Sequence, residues 1–154
     1  MRIALGADHA GVLLKDDLKR LLDARGIPYT DFGTYSTESV DYPDYAAKVA
    51  VAVGHGDVDR GILVCGTGIG MAMAANKVAG VRAAPIIDEA SARLSREHND
   101  ANIIALGARL TAAEEARHLV EIFLDTPFAG GRHQRRVDKI MALDKSTGRG
   151  IDDL

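Results

Sequence analysis

A chain of 154 residues, 47% of them hydrophobic, is long enough to bury one sizeable core and short for two. Its 19 Lys and Arg against 22 Asp and Glu leave a formal net charge of -3, and no long basic run offers a footprint for nucleic acid or an anionic membrane. A single cysteine excludes an internal disulfide, and there is no Cys/His cluster at metal-ligand spacing, no signal sequence after Met1 and no apolar run near the ~20 residues of a membrane span, so a cytoplasmic protein is expected.

Residues 3–6 form the first short apolar run and end in GADHAG, which places Asp8 and His9 just past a strand. Over residues 12–22, Val12, Leu14, Leu18, Leu21 and Leu22 share one face of a helix, while Lys15, Asp16, Lys19 and Asp23 share the other. Gly26 and Pro28 stop that helix, and residues 29–32 make a second strand. The polar stretch GTYSTESVDYP then leads into a helix over about residues 45–53, closed by Gly54 and Gly56. Further strands at residues 61–65, 82–87 and 103–106 are followed by helices from about residues 70, 88 and 111. Thr111 with Glu114 has the form of a capping box. Pro85, inside the fourth run, cannot donate a ladder hydrogen bond, so pairing ends before it or the chain bulges there. After the glycine pair at 130–131, a last helix covers about residues 133–143.

Five strand-helix units in series predict a doubly wound, three-layer α/β/α domain with a five-stranded parallel sheet in the order 2-1-3-4-5 and an added C-terminal helix. Residues 1–144 form the domain, and residues 145–154 are expected to be a mobile polar tail. In this architecture ligands gather beyond the carboxyl ends of strands one and three, where Asp8 and His9 would meet Cys65 and Thr67.

The stretch ILVCGTGIGMAMAANK sets the lone cysteine before three glycines in five residues. Glycines ahead of a helix start present N–H groups to an anion, either a phosphate or a developing oxyanion. Known phosphate loops do not fit: Met71 stands where a P-loop needs lysine, where a dinucleotide fingerprint needs its last glycine, and where a cysteine phosphatase needs arginine. A strand-end cysteine is otherwise simply a small buried residue. Among the histidines, His55 and His118 read as surface, whereas His9, His98 and His133 sit beside other polar groups at element ends. In GGRHQRR, Arg132 and Arg136 are four apart and share a helical face, a fork suited to phosphate; the alternative is a solvated helix start.

Together GADHAG, DYPDYA, ILVCGTGIGMAMAANK, SREHNDANI, GAR and GGRHQRRV, in order and spacing over residues 2–143, resemble the type B ribose-5-phosphate isomerase family, which includes galactose-6-phosphate and allose-6-phosphate isomerases. The resemblance implies a Rossmann-like homodimer with active sites assembled between subunits, sometimes paired into tetramers. It also implies interconversion of ribose 5-phosphate and ribulose 5-phosphate without a metal or cofactor. By the same resemblance Cys65 is the base that moves a proton between C2 and C1, and His98 is the acid that opens the furanose ring. Thr67 and the N–H groups of Gly66, Thr67, Gly68, Ile69 and Gly70 hold the enediolate, and Asp41 assists proton transfer between the two oxygens. Asp8, His9 and Asn99 contact the sugar, while Arg109, Arg132 and Arg136 serve chiefly the phosphate. Relatives that lack the cysteine use a glutamate where this chain has Met71, so the thiol version applies.

A helix start contributes ~0.3–1 kcal/mol, against about 2 kcal/mol needed to bring a thiol from ~8.5 to ~7, so Thr67 and a positive neighbour are expected to add support. The motifs do not separate ribose from six-carbon sugar phosphates. A non-catalytic nucleotide- or flavin-binding module on the same fold remains the alternative from a different class.

Overall fold

The computed structural model describes residues 1–146. In chain order the elements are β1 (Ile3–Ala7), α1 (Val12–Ala24), β2 (Tyr29–Asp31), α2 (Tyr42–Gly54), β3 (Arg60–Cys65), α3 (Ile69–Ala75), β4 (Ala83–Pro85), α4 (Glu89–Glu97), β5 (Ile103–Gly107), α5 (Ala113–Asp125) and α6 (Arg132–Ser146). The strands form one parallel sheet. β1 and β5 are buried throughout, and β3 is buried after Arg60, as expected of strands covered on both faces.

Alternation along these strands divides the core. Ile3, Leu5, Ala7, Ile62, Val64, Ile104 and Leu106 face α1, α4 and α5, where Phe123 is fully buried. Ala4, Leu63, Cys65, Ile103 and Ala105 face α2 and α3, against Val49, Val53, Met71 and Ala75. Burying each large apolar side chain contributes about 1.5–3 kcal/mol.

The strand order is β2-β1-β3-β5-β4, not 2-1-3-4-5. Pro85 supplies the reason. Ile86 N–H donates to Ala105 O at 3.0 Å, so the neighbouring Pro85 turns its donorless nitrogen to the open edge. There Asn76 covers the previous edge-facing residue, donating to Ala83 O at 2.9 Å and accepting from Ala83 N–H at 2.7 Å. β4 therefore keeps its proline without a bulge, pairing Pro85 with Ala105, and the wholly apolar β5 takes the interior place. Because right-handed crossovers put returning connections on the opposite face, α4 joins α1 and α5. The switch between β1 and β3 is unaffected.

Four local expectations change. Lys15 is 1% exposed rather than on the solvated face, because Nζ donates to Asp31 Oδ1 at 2.5 Å and Thr34 O at 2.7 Å. The capping box belongs to α4, where Asp88 accepts from Ser91 N–H at 2.7 Å and Ser91 Oγ accepts from Asp88 N–H at 3.3 Å; α5 starts at Ala113 with no side-chain cap from Thr111. α2 starts earlier than expected, with Pro43 in its first turn. α6 runs across the expected boundary at residue 144 to Ser146, and the expected tail from residue 147 onward lies outside the described residues. Among the described residues, no helix is long and apolar enough to cross a membrane.

Candidate active site

Two groups of polar side chains stand at opposite ends of the sheet. The first lies at the carboxyl ends of β1, β3 and β5. After β1 the chain turns tightly, with Asp8 Oδ1 accepting from Ala10 N–H at 2.9 Å and Asp8 O from Gly11 N–H at 3.0 Å. His9 Nδ1 accepts from Val40 N–H at 3.2 Å, which assigns the proton of a neutral ring to Nε2 and ties the segment before α2 to this turn. Asp41 is the N-cap of α2 but its side chain makes no capping hydrogen bond and is exposed, so its carboxylate is free of the helix.

Cys65 ends β3 and is 4% exposed. Gly68 N–H donates to Cys65 Sγ at 3.1 Å. This bond requires Gly68 to adopt φ 79°, and as the N-cap of α3 it turns the chain back over the sulfur. Thr67 is exposed, and its Oγ1 accepts from Ile69 N–H at 3.3 Å. Gly107 packs directly beneath: a methyl group there would sit 2.7 Å from the backbone of Thr67. Ala108 N–H donates to Cys65 O at 2.8 Å and Arg109 N–H to Gly66 O at 3.0 Å. The Arg109 guanidinium consequently lies beside Gly66, where a methyl would come 3.1 Å from Nη1. Sequence reasoning missed Tyr42, whose ring lies against Gly70 so closely that a methyl there would come 2.6 Å from it.

The second group lies at the amino end. His98 is the C-cap of α4, followed by Asn99, and the same turn runs into Asn102, whose carbonyl accepts from Gly61 N–H at 2.9 Å. The His98 ring stacks on His133 in the first turn of α6, with centroids 4.2 Å apart and planes at 14°. Arg136 follows one turn later, its Nη1 3.5 Å from Arg132 O. His98, Asn99, Arg132, His133 and Arg136 line a cleft of about 390 Å³. Burial, then the neighbouring His98 ring and the Arg132 and Arg136 guanidiniums, push the His133 imidazole below its ordinary value. Sequence reasoning singled out His133 but not its stacking, for which two histidines 35 positions apart give no local signal.

The rungs Gly61–Ile103 and Cys65–Gly107 are about 13 Å apart at ~3.3 Å per residue, with apolar core between them. One chain therefore joins Asp8, His9, Asp41, residues 65–70 and Arg109, and separately His98, Asn99, Arg132 and Arg136. A further cleft of about 380 Å³ between β4 and α6, lined by Lys77, Arg82, Ile140 and Asp144, contains none of the predicted site residues. Among the described residues, no three His, Cys, Asp or Glu side chains are grouped to hold a metal ion.

Compared with family models, the chain matches Ribose/Galactose Isomerase over residues 3–140. It belongs to the ribose/galactose isomerase family. Ribose-5-phosphate isomerase B of Escherichia coli (strain K12) is 48% identical over 144 residues, covering 94% of this chain and 97% of the relative. The solved structure of Clostridium thermocellum ribose-5-phosphate isomerase B matches with a TM-score of 0.94 at 50% identity, over 96% of this chain and 99% of that one. Ribose-5-phosphate isomerase B of Mycoplasma genitalium, solved with bound ribulose-5-phosphate, matches with a TM-score of 0.90 at 43% identity, over 94% of this chain and 96% of that one. The ribose/galactose isomerase match includes both side-chain groups.

Proposed function

We propose that this chain interconverts ribose 5-phosphate and ribulose 5-phosphate in sites that each use the carboxyl-end group of one copy and the amino-end group of a second. The observation that carries the reading is the pairing of one buried thiol, met by the Gly68 N–H, with a separate arginine and histidine cleft that the same chain holds at the other end of its sheet.

His98 protonates the ring oxygen as solvent water takes the proton of the C1 hydroxyl, breaking the bond between C1 and that oxygen and leaving an open-chain aldehyde. The Cys65 thiolate then removes the C2 proton, and the electron pair moves to the carbonyl oxygen, where Thr67 and the N–H groups of residues 66–70 donate as charge develops. Asp41 carries a proton between O2 and O1, and the Cys65 thiol returns its proton to C1 to give the ketose. Asp8, His9 and Asn99 hold the hydroxyls. Arg132 and Arg136 take the phosphate at the far side of the site, so that its charge does not oppose ionisation of the thiol, with Arg109 on the near side. Nothing in these steps calls for a metal or cofactor. A nucleotide-binding module would leave the His98 and arginine cleft without a task.

Cys65→Ala tests the base: turnover falls to background while ribose 5-phosphate still binds, and wild-type protein in deuterium oxide labels the sugar at C1 or C2. Full activity in Cys65→Ala overturns the reading. Comparing rates on ribose 5-phosphate, allose 6-phosphate and galactose 6-phosphate fixes the sugar.

A further inference from the structure

The turn carrying His98 and Asn99 is held from behind by three charged side chains that the proposed mechanism does not use. Asp100 directly follows the pair and has φ 46°, the only non-glycine residue in the left-handed region among the described residues. Most side chains disfavour this backbone, and Asp and Asn tolerate it best.

Two arginines lock it in place. Arg96, 5% exposed, donates from Nη1 to Asp100 Oδ1 at 2.7 Å and to Ala101 O at 2.6 Å, and from Nε to Thr126 O at 3.2 Å. Arg82 donates from Nε to Asn99 O at 3.2 Å and Asp100 O at 3.0 Å, and from Nη2 to Asp100 O at 2.8 Å, with Oδ2 3.4 Å away. Burial pulls the Arg82 guanidinium below its ordinary value, a loss that Asp100 opposes and Arg96 increases. The carboxylate is thus the anion between two arginines that otherwise repel each other.

The same clamp reaches the other half of the cleft. Thr126 O, held by Arg96, is the C-cap of α5, and Ala129 N–H donates to Glu97 O at 3.0 Å. Both attachments fall in the segment that feeds Gly130, Gly131 and the first turn of α6. The backbones bearing His98 and His133 are therefore fastened to each other through Arg96, and the ring stack sits on that fastening.

We propose that Asp100, clamped by Arg82 and Arg96, is a positioning residue that sets the orientation of His98 against His133 for ring opening. This rests on the reading of His98 as the ring-opening acid. Removing the carboxylate loosens both arginines and lets the His98 ring leave the stack without unmaking the core beneath it.

Two substitutions separate backbone from charge. Asp100→Asn keeps a side chain that accepts the left-handed backbone and removes the charge; Asp100→Gly frees the backbone and removes the side chain, and carries the comparison if the first variant fails to fold. Each is assayed with ribose 5-phosphate alone and in a His98→Ala background, where spontaneous ring opening still supplies open-chain sugar and leaves a residual rate. With His98 present, each substitution lowers kcat about tenfold with KM changed less than about threefold; in the His98→Ala background neither lowers the residual rate more than about twofold, the non-additivity of a residue acting through another. Equal losses in both backgrounds, or none in either, overturn the positioning role. An undiminished kcat in His98→Ala overturns the ring-opening reading and the proposal with it.

Discussion

Arg132, His133 and Arg136 put three basic side chains on the first turns of α6, where the helix dipole is positive. Neither the dipole nor their mutual repulsion favours that arrangement, and burial, His98 and both arginines push the His133 imidazole down in the same sense. A doubly charged phosphate in the cleft relieves that repulsion, so these residues are suited to an anion supplied from outside the chain. Uniform binding of a non-reacting group raises KM when lost and leaves the chemical step nearly intact. Arg136→Ala is therefore expected to raise KM for ribose 5-phosphate about tenfold with kcat within about threefold of wild type in steady-state kinetics. At Cys65 the balance is different. There the Gly68 N–H donates to Sγ at 3.1 Å and the Arg109 guanidinium lies beside Gly66, while Thr67, the expected extra donor, turns its Oγ1 to Ile69 N–H instead.

At the scale of elements, the working loop is held by backbone contact with its neighbour strand. Gly107 leaves no room above it, so Gly107→Ala must displace Thr67 and the turn over Cys65 Sγ. The expected result is a loss of about 1–3 kcal/mol in denaturant unfolding, with kcat reduced more than about tenfold. The other end of the loop system depends on Lys15, which is buried on α1 yet reaches Asp31, Thr34 O and the Tyr35 ring at 4.8 Å, while Lys19 lies 2.9 Å from the second carboxylate oxygen. Burial raises the Asp31 carboxyl, but the bonds from Lys15, Gly33 N–H and Lys19 outweigh it and hold the group below its ordinary value. A lowered folded-state value stabilises the fold above the unfolded carboxyl's ~3.9, and that contribution disappears as pH falls through the folded value. Lys15→Met is accordingly expected to lower stability by about 3 kcal/mol at pH 7 in urea unfolding, with the gap to wild type narrowing below about pH 4. Such an element was not legible beforehand: helical period assigns Lys15 to the polar face, and only the tertiary approach of Asp31 and Thr34 O makes its burial tolerable. The strands were legible because two-sided burial demands apolar runs. Their order was not: in sequence Pro85 reads as an end of pairing or a bulge, and only the packed sheet puts β4 at the edge and β5 inside.

For the whole molecule, parallel topology decides what one chain can assemble. Strand ends and helix starts collect at one rim of the sheet, and helix ends collect at the other. Cys65 ends a strand, whereas His98 ends a helix, so the two lie on opposite rims whatever the order of β4 and β5. This much of the site could be read from the alternation of elements, while the His98–His133 stack and the arginine clamp behind it required the packed structure. A site that needs both groups needs a second copy, and a twofold axis that brings one rim to the other creates two equal sites. Exposed apolar side chains stand beside the thiol loop at Ile69, Met73 and Leu110, and on α6 at Ile140 and Leu143, the surfaces such a contact would cover. Co-expressing Cys65→Ala with a His98→Ala, Arg136→Ala double variant under two different affinity tags, and purifying through both tags, isolates mixed pairs. One of their sites carries all the defects and the other none, so turnover per dimer is expected to recover to about half of wild type although each parent is nearly inactive. Mixed pairs as inactive as their parents would place Cys65 and His98 in the same chain's site, an outcome the ~13 Å of intervening sheet argues against.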